Sequence, residues 1–169
     1  MRIVIGEWLI RAYEAGDVDA LVKYANNRNV SIHLRDRFPY PYTRRDARAW
    51  IERALDTETH FAVASPQELI GGIGFQPQED VYRRSAEIGY WIAEPYWGRG
   101  IATRALVAVT AYAFAHFDLV RLYACVFAGN AASERVLEKA GYVCEGNLRR
   151  CVFKDDRLLD QKIYAILTD

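Results

Sequence analysis

The stretch that decides the fold runs Trp97-Gly98-Arg99-Gly100-Ile101-Ala102-Thr103. It separates a strand-like segment at residues 85–93 from an alanine-rich segment with helical spacing at residues 102–117. A glycine-rich turn that opens a helix presents unpaired backbone N–H groups, and the helix dipole adds partial positive charge. The stretch therefore indicates either an anion site or a tight strand-to-helix turn that needs positive φ angles. It matches neither the Walker loop nor the dinucleotide fingerprint.

A second motif follows a strand-like segment at residues 120–127. Asn130 and Ser133 stand at the start of a segment with helical spacing that ends near Ala140. Together, the two motifs resemble the GNAT superfamily of acyl-CoA-dependent N-acetyltransferases, and within it the RimJ/RimL-like branch. In that family a motif of the form Gln/Arg-x-x-Gly-x-Gly/Ala holds the pyrophosphate of coenzyme A. Residues 97–102 match it, except that Trp97 replaces Gln or Arg, as is familiar in this branch.

The resemblance extends over nearly the whole chain. It includes segments at residues 9–21, 38–51, 69–75 and 154–164. It implies a single GNAT N-acetyltransferase domain over residues 1–169, with a mixed α+β fold. The fold it implies has a central, mostly antiparallel twisted sheet of about seven strands flanked by about four helices, with a splay between the two parallel central strands.

Local patterns predict the element order β-α-α-β-β-β-α-β-α-β-β. The first strand is expected at residues 3–12, and Asp17 is expected to cap a helix that ends near Asn26. Thr43 and Asp46 form the pattern of a capping box. That box predicts a second helix, which ends near residue 55.

The later strands follow from alternation and turn residues. A hairpin is expected at residues 60–75, with its turn at 65–68. Further strands are expected at residues 82–93, 119–127, 142–153 and 159–167. Because a helix separates the strand at Glu87 from the strand at Tyr123, these two strands should run parallel.

Bulk properties narrow the class of protein. A chain of 169 residues fits one domain. Lys+Arg and Asp+Glu both number 22, so no global field attracts a polyanion, and a nucleic-acid partner is not expected. The three cysteines form no C-x-x-C pair, which favours reduced thiols and a cytoplasmic protein. The three histidines lack metal-ligand spacing, so no metal is expected.

The sequence also gives no sign of membrane association. Charged residues follow the start of the chain at once, unlike a secretory signal. No stretch reaches the ~18 apolar residues that a membrane span needs, because Arg104 interrupts the longest candidate. We therefore expect a soluble protein.

The resemblance implies acetyl-CoA as cosubstrate and a set of residues that bind it. In the family, the splayed strands leave backbone groups that bond the pantetheine amides, which is a form of β-augmentation. Amides from Gly98 to Thr103 would surround the pyrophosphate, while the backbones of the residues at 91–93 would face pantetheine. The implied coenzyme-binding residues are Trp91, Ile92, Ala93, Trp97, Gly98, Arg99, Gly100, Ile101, Ala102, Thr103, Asn130 and Ser133.

Acetyl transfer to an amine needs a neutral amine, a stabilised oxyanion and a protonated leaving thiolate. Period-two alternation places Glu87, Gly89 and Trp91 on one face of their strand. Glu87 is therefore a candidate to accept the amine proton, directly or through water, or else a structural carboxylate. A backbone N–H near Ile92 is the candidate donor to the oxyanion.

The group that protonates the thiolate is less evident. Many relatives use a Tyr on the helix after Asn130, but Leu137 stands at the corresponding position. Ser133, one turn earlier, is the next candidate, as suggested for RimL-like enzymes. The alternative for Ser133 is a cap of its own helix, and Asn130 likewise either binds pantetheine or caps that helix.

The acceptor is the most open question. The resemblance implies a protein N-terminal α-amine, and the alternatives are a small amine (a polyamine, amino acid or antibiotic) or a coenzyme A-binding sensor without catalysis. Arginines outnumber acidic residues at 35–48, which indicates either a solvated face or a surface that orients an acidic acceptor. The sequence is compatible with a monomer or a homodimer.

Overall fold

The computed structural model describes residues 1–168, and contacts within the chain group them into two compact units. The first unit comprises Met1–Gly74 and Tyr90–Ala108, and the second comprises Phe75–Gly89 and the residues from Val109 onward. The single domain expected over residues 1–169 stays a prediction.

The described residues form eight strands and five α-helices. The strands are β1 (Arg2–Ile5), β2 (Trp8–Arg11), β3 (His60–Ala64), β4 (Leu69–Pro77), β5 (Ser85–Ile92), β6 (Arg121–Phe127), β7 (Val143–Lys154) and β8 (Arg157–Leu167). The helices are α1 (Val18–Ala25), α2 (Arg28–Ser31), α3 (Arg44–Leu55), α4 (Ile101–His116) and α5 (Ala131–Lys139). Hydrogen-bonded neighbours follow the order β1-β2-β3-β4-β5-β6-β8-β7. The predicted mixed α+β class is confirmed.

The first unit contains two features that the sequence did not predict. The strand expected at residues 3–12 is a hairpin, because Gly6 adopts a φ of +79° and reverses the chain between β1 and β2. The short helix α2 is also additional, and the Asn27 side chain caps it by accepting a 2.8 Å hydrogen bond from the Asn29 amide.

The capping predictions differ in outcome. Thr43 and Asp46 form the capping box of α3, as predicted. Asp17 does precede α1, but its carboxylate does not cap that helix. It accepts instead from the Glu14 amide at 2.8 Å and from two Arg11 nitrogens at 2.7 Å each, across a short 3₁₀ turn. The predicted cap was wrong because a nearer donor and a guanidinium satisfy the carboxylate.

The first unit packs α1 and α3 beside β3 and the first part of β4. Leu21 and Ile51 supply the buried stripes of the two helices, while Ala62 and Leu69 face them from the strands. Strands β1 to β4 pair antiparallel in sequence order.

The second unit contains the parallel pair that the sequence predicts. Strands β5 and β6 are aligned from Ser85↔Arg121 to Glu87↔Tyr123. The parallel ladder covers only these first residues of each strand, as expected for strands that splay. Strand β8 pairs antiparallel with both β6 and β7. Among the described residues, no helix is both long and apolar enough to cross a membrane.

Candidate functional site

The glycine turn between β5 and α4 leaves its backbone open on one side. Gly98 and Gly100 have φ angles of +75° and +72°, a region that side chains disfavour. A Cβ atom at Gly98 would meet no heavy atom within 4 Å, and one at Gly100 would meet only the Arg104 Nη2 atom, at 3.9 Å. Glycine at these two positions therefore permits the positive φ angles and also leaves room for a ligand to approach the backbone.

The start of α4 provides the donors that an anion needs. The Arg104 amide donates to the Gly100 carbonyl at 3.1 Å, so the amides of Ile101, Ala102 and Thr103 precede this first helical hydrogen bond. Gly100 has no side chain that could accept from them. The helix continues for 16 residues, and its dipole favours negative charge at this end.

Two arginines add positive charge beside the turn. The Arg99 guanidinium lies 5.3 Å from the centroid of the Tyr96 ring and donates to the Pro95 carbonyl at 3.3 Å. The Arg104 guanidinium lies 5.2 Å from the centroid of the Trp8 ring. Such stacking restrains each charge near the turn. Open glycines, helix amides and these cations together fit the pyrophosphate of coenzyme A.

The end of β5 is more constrained than the sequence indicated. The Trp97 indole Nε1 donates to the Ile92 carbonyl at 2.6 Å, and the Ala93 amide donates to the Ile70 carbonyl at 2.8 Å. Successive amides of an extended segment point to opposite edges, so the Ile92 amide points away from β4. Of the backbone groups expected to face pantetheine, the Ile92 amide is the one best suited to a ligand.

The side chain of Trp91 belongs to an aromatic cluster in the first unit. Its ring lies 5.5 Å from the Phe38 ring, and Tyr13 packs edge-on to Trp50 at 6.0 Å. Burial is the main cause that raises the pKa of Tyr42 to about 12, and burial also raises the pKa of Tyr13. These tyrosines are therefore neutral packing groups at physiological pH.

Glu87 lies in the second unit, on the less buried face of β5. Its strand neighbours Ala86 and Ile88 are 0% and 2% exposed, whereas Glu87 is half-buried and Gly89 is exposed. The predicted alternation is confirmed in this part of the strand. The parallel register aligns Glu87 with Tyr123. The role of Glu87 as a base stays a prediction.

The second motif forms the start of α5. The Asn130 side chain caps this helix, because its Oδ1 atom accepts from the Ser133 amide at 3.2 Å. This contact uses the oxygen of the amide group, and Nδ2 is the atom that can donate to a ligand. Ser133 itself is half-buried, and Leu137 is fully buried. The side chain at the usual tyrosine position is therefore a core residue.

One polar cluster in the second unit was missed from the sequence. The Lys162 ammonium donates to Glu134 Oε2 at 2.6 Å, and the Tyr164 hydroxyl lies 3.2 Å from the same atom. The Lys162 hydrogen bond holds the pKa of Glu134 below its usual range. Burial and the bond to Glu134 raise the pKa of Tyr164. Tyr164 thus donates to a carboxylate and stays protonated at physiological pH.

In the described part of the chain, no three His, Cys, Asp or Glu residues are grouped so that they could hold a metal ion. The cysteines Cys125, Cys144 and Cys151 form no disulfide bond.

Comparison with known proteins gives a consistent result. The family model described as "Acetyltransferase (GNAT) domain" matches residues 8–143. Uncharacterized N-acetyltransferase YnaD of Bacillus subtilis is 32% identical over 175 residues, covering 100% of this chain and 98% of that protein. Uncharacterized N-acetyltransferase YoaA of the same organism is 40% identical over 101 residues, covering 60% of this chain and 56% of that protein.

A further relative and two solved structures carry more specific names. The ribosomal-protein-serine acetyltransferase of Escherichia coli is 33% identical over 109 residues, covering 64% of this chain and 60% of that protein. The spermidine N-acetyltransferase from Vibrio cholerae, in complex with CoA and spermine, has a TM-score of 0.79 at 27% identity, covering 95% of each chain. The ribosomal L7/L12 acetyltransferase RimL, in complex with coenzyme A, shares the fold with a TM-score of 0.88 at 21% identity, covering 100% of this chain and 99% of that one.

These matches confirm the predicted resemblance to the GNAT superfamily and its RimJ/RimL-like branch. With several relatives, the alignment covers less than two thirds of their length, and with YnaD it covers nearly all of it.

Proposed function

This chain belongs to the GNAT acetyltransferase family, and from that premise we propose that it transfers an acetyl group from acetyl-CoA to a protein N-terminal α-amine by direct attack in a ternary complex. Family membership makes the domain an acyl-CoA N-acyltransferase with acetyl-CoA as its cosubstrate. The observation that carries the proposal is the open start of α4, where glycines, amides and two arginines are arranged as a pyrophosphate needs.

Acetyl-CoA supplies a thioester whose carbonyl carbon accepts the amine nitrogen. Glu87 takes the proton that the amine loses as the C–N bond forms. The Ile92 amide donates to the carbonyl oxygen as negative charge develops there. The Ser133 hydroxyl gives a proton to sulfur as the C–S bond breaks, and it recovers one from solvent. Glu87→Gln should therefore lower kcat/KM about 100-fold while acetyl-CoA affinity is retained.

Two arguments support an α-amine as the acceptor: the pKa of the amine and the similarity to a relative. A protein α-amine has a reference pKa of about 7.7–8.0, against about 10.4 for a lysine side chain, so about 10% or more of it is free base at neutral pH. A site with one half-exposed carboxylate and a leucine at position 137 suits such an amine. Similarity to the ribosomal-protein-serine acetyltransferase supports the same class. We expect small first residues such as Ala or Ser to be preferred.

A small polyamine is the second candidate acceptor. The observation in its favour is 27% identity to a spermidine N-acetyltransferase over nearly the whole chain. Cytoplasmic location and oligomeric state, monomer or homodimer, stay predictions from the sequence.

Mass spectrometry on short peptides that carry both an α-amine and a lysine tests the proposal. We expect acetyl on the N-terminus only. Acetyl on the lysine side chain, or unmodified peptides together with rapid acetylation of spermidine, would reject this acceptor class. Acceptor-dependent release of thiol from acetyl-CoA, screened in parallel, would argue against a sensor without catalysis.

A further inference from the structure

The glycines in strand β4 are explained by the protein's own packing. A Cβ atom at Gly71 would lie 2.4 Å from the Trp91 carbonyl oxygen. One at Gly72 would lie 2.3 Å from the Tyr13 hydroxyl, and one at Gly74 would lie 2.7 Å from the Thr59 carbonyl oxygen. No side chain fits at these distances, so these positions require glycine to let neighbouring groups approach.

Gly89 in β5 differs from them. It is exposed, its φ angle lies outside the positive region, and a Cβ atom there would meet no heavy atom within 4 Å. Gly146 in β7 has equally open surroundings, but it lies at a register shift of its strand pair, where glycine is common. Within residues 1–168, neither backbone conformation nor packing accounts for glycine at position 89.

The surface beside Gly89 carries groups of distinct chemistry. Glu87 lies two residues earlier on the same face and is aligned with Tyr123 of β6. Cys125 follows two residues after Tyr123, is aligned with Ile163 of β8, and is half-buried, as is Tyr123. The Glu87 carboxylate thus lies beside the aromatic side chain of Tyr123 and two residues from the exposed backbone of Gly89.

We propose that this surface is the acceptor subsite, in which the acceptor passes directly over the Gly89 backbone and presents its primary amine to Glu87. The proposal rests on the proposed function, since it takes Glu87 as the group that receives the amine proton. The Glu87 carboxylate attracts the ammonium form on arrival. The missing side chain at Gly89 lets the carbon next to the amine approach the strand, and Tyr123, aligned with Glu87, borders the carboxylate. The subsite therefore favours an α-amine whose first residue has a small side chain.

The test compares Gly89→Val and Gly89→Ala with wild type, using Gly146→Val as the matched control in another open strand position. Valine is well suited to a strand, and the space around Gly89 is free, so the variant should fold. We expect acetyl-CoA affinity to stay at the wild-type value. We expect kcat/KM for the amine to fall by at least about 10- to 200-fold in Gly89→Val, because a single extra methylene in a binding pocket has an effect of that size, and by less in Gly89→Ala.

The acceptor series makes the test sharper. A peptide that begins with Val should lose more activity than one that begins with Ala, while Gly146→Val should leave both rates unchanged. Wild-type kcat/KM in Gly89→Val, with intact folding, would overturn the subsite and leave the proposed function standing. If Gly89→Val melts far below wild type, an unchanged kcat/KM in Gly89→Ala overturns it instead. A wild-type protein that acetylates no amine would overturn the proposed function and, with it, this subsite.

Discussion

The starts of α4 and α5 each carry a motif that the sequence assigns to coenzyme binding, but the protein completes them differently. The Asn130 side chain closes the start of α5 by accepting from the Ser133 amide at 3.2 Å. The start of α4 follows Gly100, which has no side chain, and its backbone faces open space. A helix start that its own cap satisfies is stable without a ligand, whereas one left open is available to an anion. We therefore propose that the pyrophosphate binds at the start of α4, and we expect Asn130 and Ser133 to act through the Nδ2 and Oγ atoms of their side chains.

Gly100→Val should abolish most of the stabilisation that acetyl-CoA gives the protein. Acetyl-CoA should stabilise the wild-type protein, because a ligand bound only by the native state raises its free energy of unfolding by RT ln(1 + [L]/Kd). The variant should lose nearly all of this shift in melting temperature, because a side chain blocks the approach to the backbone. Gly141→Ala is the matched control, since Gly141 also has a positive φ, +89°, but follows α5. A full ligand-induced shift in Gly100→Val would refute the assignment to α4.

The Ser133→Ala variant tests whether the hydroxyl at the start of α5 takes part in catalysis. If its hydroxyl protonates the leaving thiolate, kcat should fall about 100-fold with unchanged acetyl-CoA affinity, because a positioned acid contributes at least that factor. The backbone amide that Asn130 caps remains in the variant. Stopped-flow or steady-state thiol release gives the rate, and calorimetry gives the affinity. Wild-type kcat with a lowered melting temperature would confine Ser133 to a structural role.

Asn130→Ala separates capping from ligand binding. Loss of the cap should lower the free energy of unfolding by about 0.5–2 kcal/mol, measured by urea denaturation. We also expect weaker acetyl-CoA binding, because Nδ2 is then lost as a donor. Asn130→Asp keeps an oxygen for the cap and removes that donor, so it should restore stability without restoring affinity. Equal Kd values in all three proteins would show that the start of α5 serves only its own helix.

The smallest expected effect concerns the acid stability of α5. The hydrogen bond from Lys162 lowers the pKa of Glu134, so its contribution to stability is present above the ordinary glutamate pKa of about 4.3 and is lost as pH falls through the lower folded value. Glu134→Gln should therefore be less stable than wild type at neutral pH and should lose less stability on acidification. Lys162→Met should flatten the same dependence. Parallel pH curves for wild type and Glu134→Gln would contradict this.

Local signals explain what the sequence predicted well. Glycines at 98 and 100, the Thr43 and Asp46 capping pair, and the alternation around Glu87 all act within a few residues, and the structure has the turn, the cap and the strand face that they indicate. The parallel pairing of β5 and β6 could also be predicted, because a strand–helix–strand connection within one sheet joins parallel strands.

Specific side-chain contacts explain what the sequence did not predict. The Asp17 carboxylate binds the Arg11 guanidinium and does not cap α1, and the Trp97 indole donates to the Ile92 carbonyl, which leaves less of the β5 backbone for a ligand than expected. The pairing of Glu134 with Lys162 joins a helix to a strand far along the chain. Such partners depend on tertiary packing, for which local spacing carries no signal.

Titration of isotopically labelled protein with inorganic pyrophosphate, followed by proton–nitrogen correlation spectra, tests directly where the pyrophosphate binds. The probe contains only the group assigned to the start of α4. We predict the largest shifts at the amides from Gly98 to Thr103, with little change at the Ser133 amide that Asn130 already accepts. Shifts centred on the start of α5, or none at Gly98 to Thr103 while acetyl-CoA still binds, would show that the open start of α4 does not hold the coenzyme.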